Sequence, residues 1–180
     1  QRIPKWVLKI ENDSGINCGL RICGILVPFL NEESRDAYPT ANFGKILNKD
    51  ELNKEIPGIS KQWQTGLLFK QDGQIDNRRK LMRALEKACV ELGVKFQEGV
   101  EVLELLENGK EFSGVKIKTI EGKIQFLRRH QAVLCSGAWS TKILKEIPVF
   151  PVKGQMLSIQ APKDALKRVV YGPGTYLVPR

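Results

Sequence analysis

The sequence has few of the features that mark membrane, metal-binding or secreted proteins. Its longest apolar run, residues 25–30, holds six residues, whereas a membrane helix needs about 20. No apolar signal-peptide core follows the first residues. A single histidine and four cysteines without a Cys-x-x-Cys motif argue against a zinc site. Cys89 and Cys135 fall in apolar patterns and are expected to be buried thiols, which favours a reducing, cytoplasmic setting.

The composition is that of an ordinary globular protein with a basic surface. The chain has 180 residues, 42% apolar and 27% charged, which excludes wholesale disorder, collagen and a chain-long coiled coil. Its 29 basic and 20 acidic residues give a net charge of +9. The basic residues are spread along the chain, as on a solvated surface, and are not interleaved with exposed aromatic residues. Nucleic-acid binding is therefore kept only as a distant alternative.

The two ends of the sequence suggest a piece of a larger protein. The chain opens without Met and stops on Tyr-Leu-Val-Pro-Arg, directly after an apolar stretch. A complete domain more often ends in a polar, frayed tail. We therefore expect a fragment of a longer chain.

The clearest predicted helix covers residues 77–92. Asp76 is placed to cap its N-terminus and Gly93 to end it. Shorter helices are predicted at residues 6–14, 50–55 and 141–145, the last with Ser140 as its N-cap. The apolar residues of the long helix fall on one stripe, formed by Leu81, Leu85, Ala88, Cys89 and Leu92.

Apolar segments between turn signals predict the strands. Residues 112–120 alternate, with Val115 and Ile117 on one face, as in a half-exposed strand. Residues 132–135 are wholly apolar, the pattern of a buried parallel strand. The other predicted strands are residues 20–29 (interrupted at Gly24), 66–70, 94–97, 100–106, 123–126, 152–160, 168–171 and 175–178.

The order of these elements resembles the later part of a doubly wound nucleotide-binding domain. A strand and helix are followed by a further strand, a β-meander, an apolar strand and a Gly turn. The first βα unit, with its Gly-rich phosphate turn, is missing. The single Gly-x-Gly, Gly172-Pro173-Gly174, has a proline in the middle and no helix pattern after it, which excludes a dinucleotide fingerprint.

Three segments together resemble the glycine oxidase and D-amino acid oxidase family of FAD-dependent enzymes, and most closely the glycine oxidases of thiamine biosynthesis. The likeness covers residues 72–180 well and residues 6–29 loosely. Its segments are Leu-Met-Arg-Ala-Leu at 81–85 continuing to Val-Glu-Val at 100–102, Val-Leu-Cys-Ser-Gly-Ala-Trp-Ser at 133–140, and Pro-Val-Lys-Gly-Gln-Met-Leu at 151–157 with Tyr-Leu-Val-Pro-Arg at 176–180.

The resemblance assigns four site residues. It places Val102 at the backbone contact with the adenine of FAD, and Ser136 and Gly137 in a cofactor-binding turn after the apolar strand. Tyr176 matches a tyrosine whose hydroxyl binds the substrate carboxylate, a role that a neutral donor suits. Each has a plainer alternative: a buried strand valine, a structural strand-to-helix turn, and a half-buried strand aromatic. No catalytic residue and no metal ligand is assigned.

The fold implied by the resemblance is α/β (α+β), a fragment of a doubly wound FAD-binding domain plus a mixed antiparallel-sheet substrate domain. Residues 76–145 would belong to the FAD domain, and residues 1–75 and 146–180 to the substrate domain. Two parts of the family pattern are missing: the Gly-rich phosphate turn and the C-terminal arginine that binds the substrate carboxylate. The fragment alone is therefore expected to hold FAD weakly or not at all and to be inactive.

The function implied for the parent protein is oxidation of glycine, or of another small amine or D-amino acid, to the imine with formation of hydrogen peroxide. The expected partner is a small-molecule amine, with neither nucleic acid nor a membrane, and a homo-oligomer is left open. The alternative class is a non-catalytic binding module or folded fragment without bound flavin, which flavin absorbance would distinguish.

Overall fold

The computed structural model describes residues 3–75, 78–162 and 165–179. The chain divides into two compact units, Gln1–Val94 with Ile159–Arg180, and Lys95–Ser158. The helices are α1 (Ile3–Ser14), α2 (Glu32–Asp36), α3 (Lys49–Glu55) and α4 (Arg78–Glu91), with 3-10 helices at Ala41–Phe43 and Gly137–Lys142. The strands are β1 (Leu20–Arg21), β2 (Ile25–Phe29), β3 (Lys45–Leu47), β4 (Thr65–Phe69), β5 (Gln74–Ile75), β6 (Val100–Asn108), β7 (Glu111–Thr119), β8 (Ile124–Arg128), β9 (Val169–Gly172) and β10 (Thr175–Leu177). The assignment of chain segments to a substrate domain and an FAD domain stays a prediction.

A five-stranded mixed sheet forms the centre of the first unit. Its strand order is β10-β9-β2-β4-β3, with β2 and β9 parallel and the other pairs antiparallel. The capping box of Asn48 and Glu51 begins α3, which packs on one face of this sheet. The buried residues between helix and sheet are Leu26, Leu47, Leu52 and Leu68, with Trp63 packed beside them. Since alternate strand residues point to opposite faces, the remaining side chains of these strands lie on the face that α3 does not cover.

Helices α1 and α4 share a second core in the same unit. Val7 and Ile10 of α1 pack with Cys18 and Ala84. Pro4 lies in the first turn of α1, where its missing N–H costs no hydrogen bond, so the helix starts earlier than predicted. The predicted stripe on α4 is correct at its start and wrong at its end, because Leu92 is 74% exposed. The predicted cap, Asp76, lies outside the described residues.

The second unit is built on the antiparallel meander β6-β7-β8. The predicted alternation of β7 is confirmed, because Ile117 is buried while Lys118 on the other face is exposed. Gly114 has φ of 155°, and a Cβ there would lie 2.2 Å from a backbone oxygen of β8. The close approach of β7 and β8 therefore requires glycine at this position.

Three predicted strands, at residues 94–97, 132–135 and 152–160, are wrong. These described residues have no strand assignment, and Val133 and Leu157 are 88% and 86% exposed. An apolar segment becomes a strand only when a neighbouring strand takes up its backbone hydrogen bonds, and none of the described strand pairs includes these segments. Cys135 is correspondingly exposed and not a buried thiol.

The helix predicted at residues 141–145 is also misplaced. A 3-10 helix covers Gly137–Lys142, and Ser136, not Ser140, is its N-cap residue, without a side-chain capping bond. The Ser136 hydroxyl instead lies 3.1 Å from the Ser140 hydroxyl, where the two share a hydrogen bond. The local pattern identified a turn followed by a helix but not its register.

Within residues 3–75, 78–162 and 165–179, no helix is long and apolar enough to cross a membrane. The same part of the chain contains no group of His, Cys, Asp and Glu side chains suited to a metal ion.

Candidate functional site

A pocket of about 420 Å³ lies on the face of the five-stranded sheet that does not carry α3. It is built by strand alternation: Ile25 and Val27 of β2 and Val169 and Tyr171 of β9 point to the same face. The parallel pairing of β2 and β9 aligns Ile25 with Val169, which puts these side chains next to one another. The full lining is Ile25, Val27, Tyr38, Thr40, Phe69, Asp72, Val169, Tyr171 and Tyr176.

Tyr176 lines this pocket, in the unit where the sequence predicted a substrate site. It lies on β10 directly opposite Tyr171 of β9, and the two rings stack with centroids 6.5 Å apart and planes at 20°. Tyr176 is 57% exposed, so its phenol is accessible as a donor to a ligand in the pocket. The strand placement of Tyr176 is confirmed, and its role in substrate binding stays a prediction.

Tyr38 lines the same pocket as the Tyr171–Tyr176 pair. Its ring meets Phe29 edge-on at 5.4 Å and Phe69 at 6.3 Å. These aromatic contacts fix the ring over the sheet. Sequence reasoning missed Tyr38, because it lies in a polar, turn-rich stretch; the N-cap pattern of Asn31 before α2 was the one available signal that this stretch is ordered.

A buried arginine holds α2, and with it Tyr38, on the sheet. Arg35 is 7% exposed, and its Nη1 donates to the Thr65 hydroxyl at 3.0 Å while its Nε donates to Asp36 at 2.8 Å. Thr65 in turn donates to the Leu47 carbonyl at 2.8 Å. The hydrogen bond with Arg35 lowers the pKa of Asp36, and the same bond raises the pKa of Arg35. This pair therefore stays ionised through neutral pH and positions the wall of the pocket.

The predicted cofactor residues lie in the second unit. Val102 is on β6, paired with Ile117 and 40% exposed, next to a register shift between Val102 and Glu104. It is therefore a strand valine, but not a buried one. A separate hollow of about 370 Å³, lined by residues at the start of β6 and the end of β7, does not include it.

Gly137 offers open backbone to a ligand. Its φ is 53°, and no atom lies within 4 Å of the position that a Cβ would take. The backbone at this turn can therefore be approached closely, as a nucleotide or pyrophosphate requires. The open backbone of Gly137 and the 40% exposed side chain of Val102 leave room for a cofactor at each of these two positions. The individual roles of Val102, Ser136 and Gly137 stay predictions.

The chain as a whole matches the family model described as FAD dependent oxidoreductase (DAO), over residues 2–180. It is 35% identical over 184 residues to the bifunctional protein ThiO/ThiG of Synechocystis sp., covering 99% of this chain and 26% of that protein. It is 32% identical over 136 residues to a glycine oxidase of Pseudomonas aeruginosa, covering 73% of this chain and 36% of that protein. The chain belongs to the FAD-dependent oxidoreductase family.

The solved structures with this fold include a glycine oxidase from Geobacillus kaustophilus. It superposes with a TM-score of 0.80 at 23% identity, covering 99% of this chain and 50% of that one. An L-proline dehydrogenase from P. horikoshii gives a TM-score of 0.72 at 17% identity, covering 95% of this chain and 48% of that one. The predicted mixed α/β fold class is confirmed, and the chain spans half or less of the length of these relatives.

Proposed function

We propose that this chain is part of a cytoplasmic FAD-dependent oxidase that converts glycine, or another small amine or D-amino acid, to the imine with formation of hydrogen peroxide. The observation that carries the proposal is the tyrosine-lined pocket of about 420 Å³ in a chain that matches the FAD-dependent oxidoreductase family along its length. The names of the relatives, ThiO/ThiG and glycine oxidase, support glycine as substrate and thiamine (thiazole) biosynthesis as the setting.

The described residues bind and orient the substrate and the cofactor. Tyr176 donates its phenolic hydrogen to the substrate carboxylate, and the aliphatic wall of Ile25, Val27 and Val169 keeps water away from the substrate. The backbone near Val102 and at Ser136 and Gly137 would hold FAD. The chemistry that FAD supplies when bound is the two-electron oxidation of the carbon–nitrogen bond. No side chain of this chain is assigned as a general base.

The 180 residues alone should bind FAD weakly or not at all and should be inactive. The sequence has no Gly-x-Gly-x-x-Gly turn, whose backbone N–H groups and helix N-terminus contribute much of the affinity for a dinucleotide. Tight stoichiometric binding of FAD by these residues, measured by flavin fluorescence, would contradict this part of the proposal.

The decisive experiment compares Tyr176→Phe with Thr175→Val in the parent protein. Loss of one hydrogen bond to a charged group costs about 1.5–3 kcal/mol, so kcat/KM for glycine should fall about 10- to 150-fold in Tyr176→Phe with flavin content unchanged. Thr175 precedes Tyr176 on β10 and points to the other face, so Thr175→Val should leave kcat/KM unchanged. Peroxide formation is the assay.

Two results would contradict the proposal. If the parent protein carries flavin but forms no peroxide with glycine, D-alanine or other small amines, the amine oxidase assignment is wrong. If the parent protein shows no flavin absorbance, the chain is a binding module without FAD. An unchanged kcat/KM in Tyr176→Phe would remove the role of this tyrosine alone.

A further inference from the structure

The pocket on the five-stranded sheet carries one charged side chain, and its sign is negative. Its nine lining residues are all described, and Asp72 is the ionisable acid among them, with no lysine, arginine or histidine. The polar groups beside it are the Thr40 hydroxyl and the phenols of Tyr38, Tyr171 and Tyr176. The negative charge of Asp72 attracts a cation to its own end of the pocket.

Asp72 is an exposed lining residue whose backbone is fixed by two hydrogen bonds. Its N–H donates to the Phe69 carbonyl at 3.2 Å, and its carbonyl accepts from the N–H of Gly24 at 2.8 Å. These two bonds tie the turn after β4 to the residue before β2. Within the described residues, the carboxylate of Asp72 accepts no hydrogen bond and forms no ion pair. The carboxylate is therefore available to a ligand without first breaking a contact.

The aromatic residues complete a setting for an organic cation. Tyr171 and Tyr176 present nearly parallel rings from adjacent strands, and Tyr38 adds a third ring to the same pocket. Cations bind within about 6 Å of an aromatic centroid through the ring quadrupole, and quaternary ammonium ligands are bound in this way. A carboxylate beside aromatic rings adds the counter-ion.

We propose that this pocket binds the ammonium group of the substrate, with Asp72 as its counter-ion and Tyr38 and Tyr171 as aromatic walls. The inference rests on the proposed function, in which the substrate is a small amine. It makes Asp72 a specificity-determining residue that selects protonated amines over the matching acids and alcohols. The substrate carboxylate then lies toward the Tyr176 hydroxyl, at the other end of the small molecule.

The first test measures binding of tetramethylammonium to the 180-residue chain by ligand-observed NMR titration, with acetate as the anionic comparison. Tetramethylammonium should bind clearly more tightly than acetate. Asp72→Asn should weaken binding about 5- to 10-fold, Asp72→Glu should retain most of it, and Tyr171→Leu should weaken it about 3- to 5-fold. The control is Asp50→Asn in the first turn of α3, an exposed acid outside the pocket, which should bind as wild type. Circular dichroism of each variant verifies the fold.

Equal binding of acetate and tetramethylammonium, or equal affinities of wild type and Asp72→Asn, would overturn the ammonium site. A second measurement, KM for glycine in the flavin-loaded parent protein, separates the two proposals. If the parent oxidises glycine and Asp72→Asn leaves KM unchanged, the ammonium site is wrong and the oxidase function stands. If Asp72→Asn abolishes tetramethylammonium binding but the parent oxidises no amine, the pocket is an ammonium site and the oxidase function is wrong.

Discussion

Arg168 joins three segments of the first unit at the start of β9. Its Nε and Nη2 donate to the two carboxylate oxygens of Glu55, at 2.6 and 3.3 Å. Its Nη1 donates to the Cys23 carbonyl at 2.9 Å. Glu55 ends α3 and Cys23 lies just before β2, so one guanidinium fixes the strand that carries Val169 and Tyr171 into the pocket.

We expect Arg168→Ala to lower the free energy of unfolding by about 2–3 kcal/mol. A hydrogen bond to a charged group contributes about 1.5–3 kcal/mol, but the side chains of Arg168 and Glu55 are 30% and 25% exposed, so solvent screens part of the interaction. The substitution also leaves the Cys23 carbonyl without this donor. Arg168→Lys keeps the charge but not the forked geometry and should lose about 1–2 kcal/mol.

Urea unfolding followed by Trp63 fluorescence measures the effect. Trp63 packs against the Leu26–Leu47–Leu52–Leu68 core, whereas Trp6 and Trp139 are 52% and 65% exposed and can be replaced by Phe to leave one reporter. The control is Lys45→Ala, which removes an ion pair with Glu51 whose side chains are 51% and 37% exposed.

The exposed pair should contribute clearly less than Arg168, because solvent screens it. A double-mutant cycle with Glu55→Gln isolates the Arg168–Glu55 interaction and should give a coupling of about 1 kcal/mol or more. Equal losses in Arg168→Ala and Lys45→Ala, or a coupling under about 0.3 kcal/mol, would refute this reasoning.

Three further predictions concern local features. Gly114→Ala should lower the free energy of unfolding by about 3 kcal/mol or more, because its Cβ would lie 2.2 Å from a backbone oxygen. Rapid proteolysis confined to residues 95–158 would support this prediction, and a protease-resistant variant would contradict it. Burial raises the pKa of the Cys18 thiol. A thiol reagent at pH 8 should therefore label the exposed Cys135 first and Cys18 last, and equal labelling rates would contradict the burial of Cys18. The hydrogen bond from Lys45 lowers the pKa of Glu51. The stabilisation by this ion pair is therefore complete above about pH 4.5, the ordinary pKa of the side chain, and is lost as pH falls through the lowered folded value. The stability difference between wild type and Glu51→Gln should shrink on acidification, and a constant difference would refute the shift.

Local patterns in the sequence determined the elements whose hydrogen bonds close over short distances. The long helix α4 and the meander β6-β7-β8 follow from periodicity and from turn residues such as Gly93 and Gly109, both of which adopt positive φ. Helix bonds join residues four apart, and a meander pairs consecutive strands, so neighbouring residues carry the information. The family resemblance likewise rested on short motifs that follow one another in the expected order. The match over residues 2–180 confirmed this resemblance.

Tertiary structure decided the features that depend on residues far apart in the chain. Residues 132–135 have the composition of a strand, but a strand needs a neighbour to pair with, and composition does not supply one. The pocket likewise joins Tyr38, Asp72 and Tyr176, which come from three distant segments. Tyr176 was predicted because a motif carries it, whereas Tyr38 and Asp72 are ordinary turn residues until the parallel pairing of β2 with β9 brings the segments together. Sequence alone therefore determined the family and the local elements, and the pairing of distant strands determined the site.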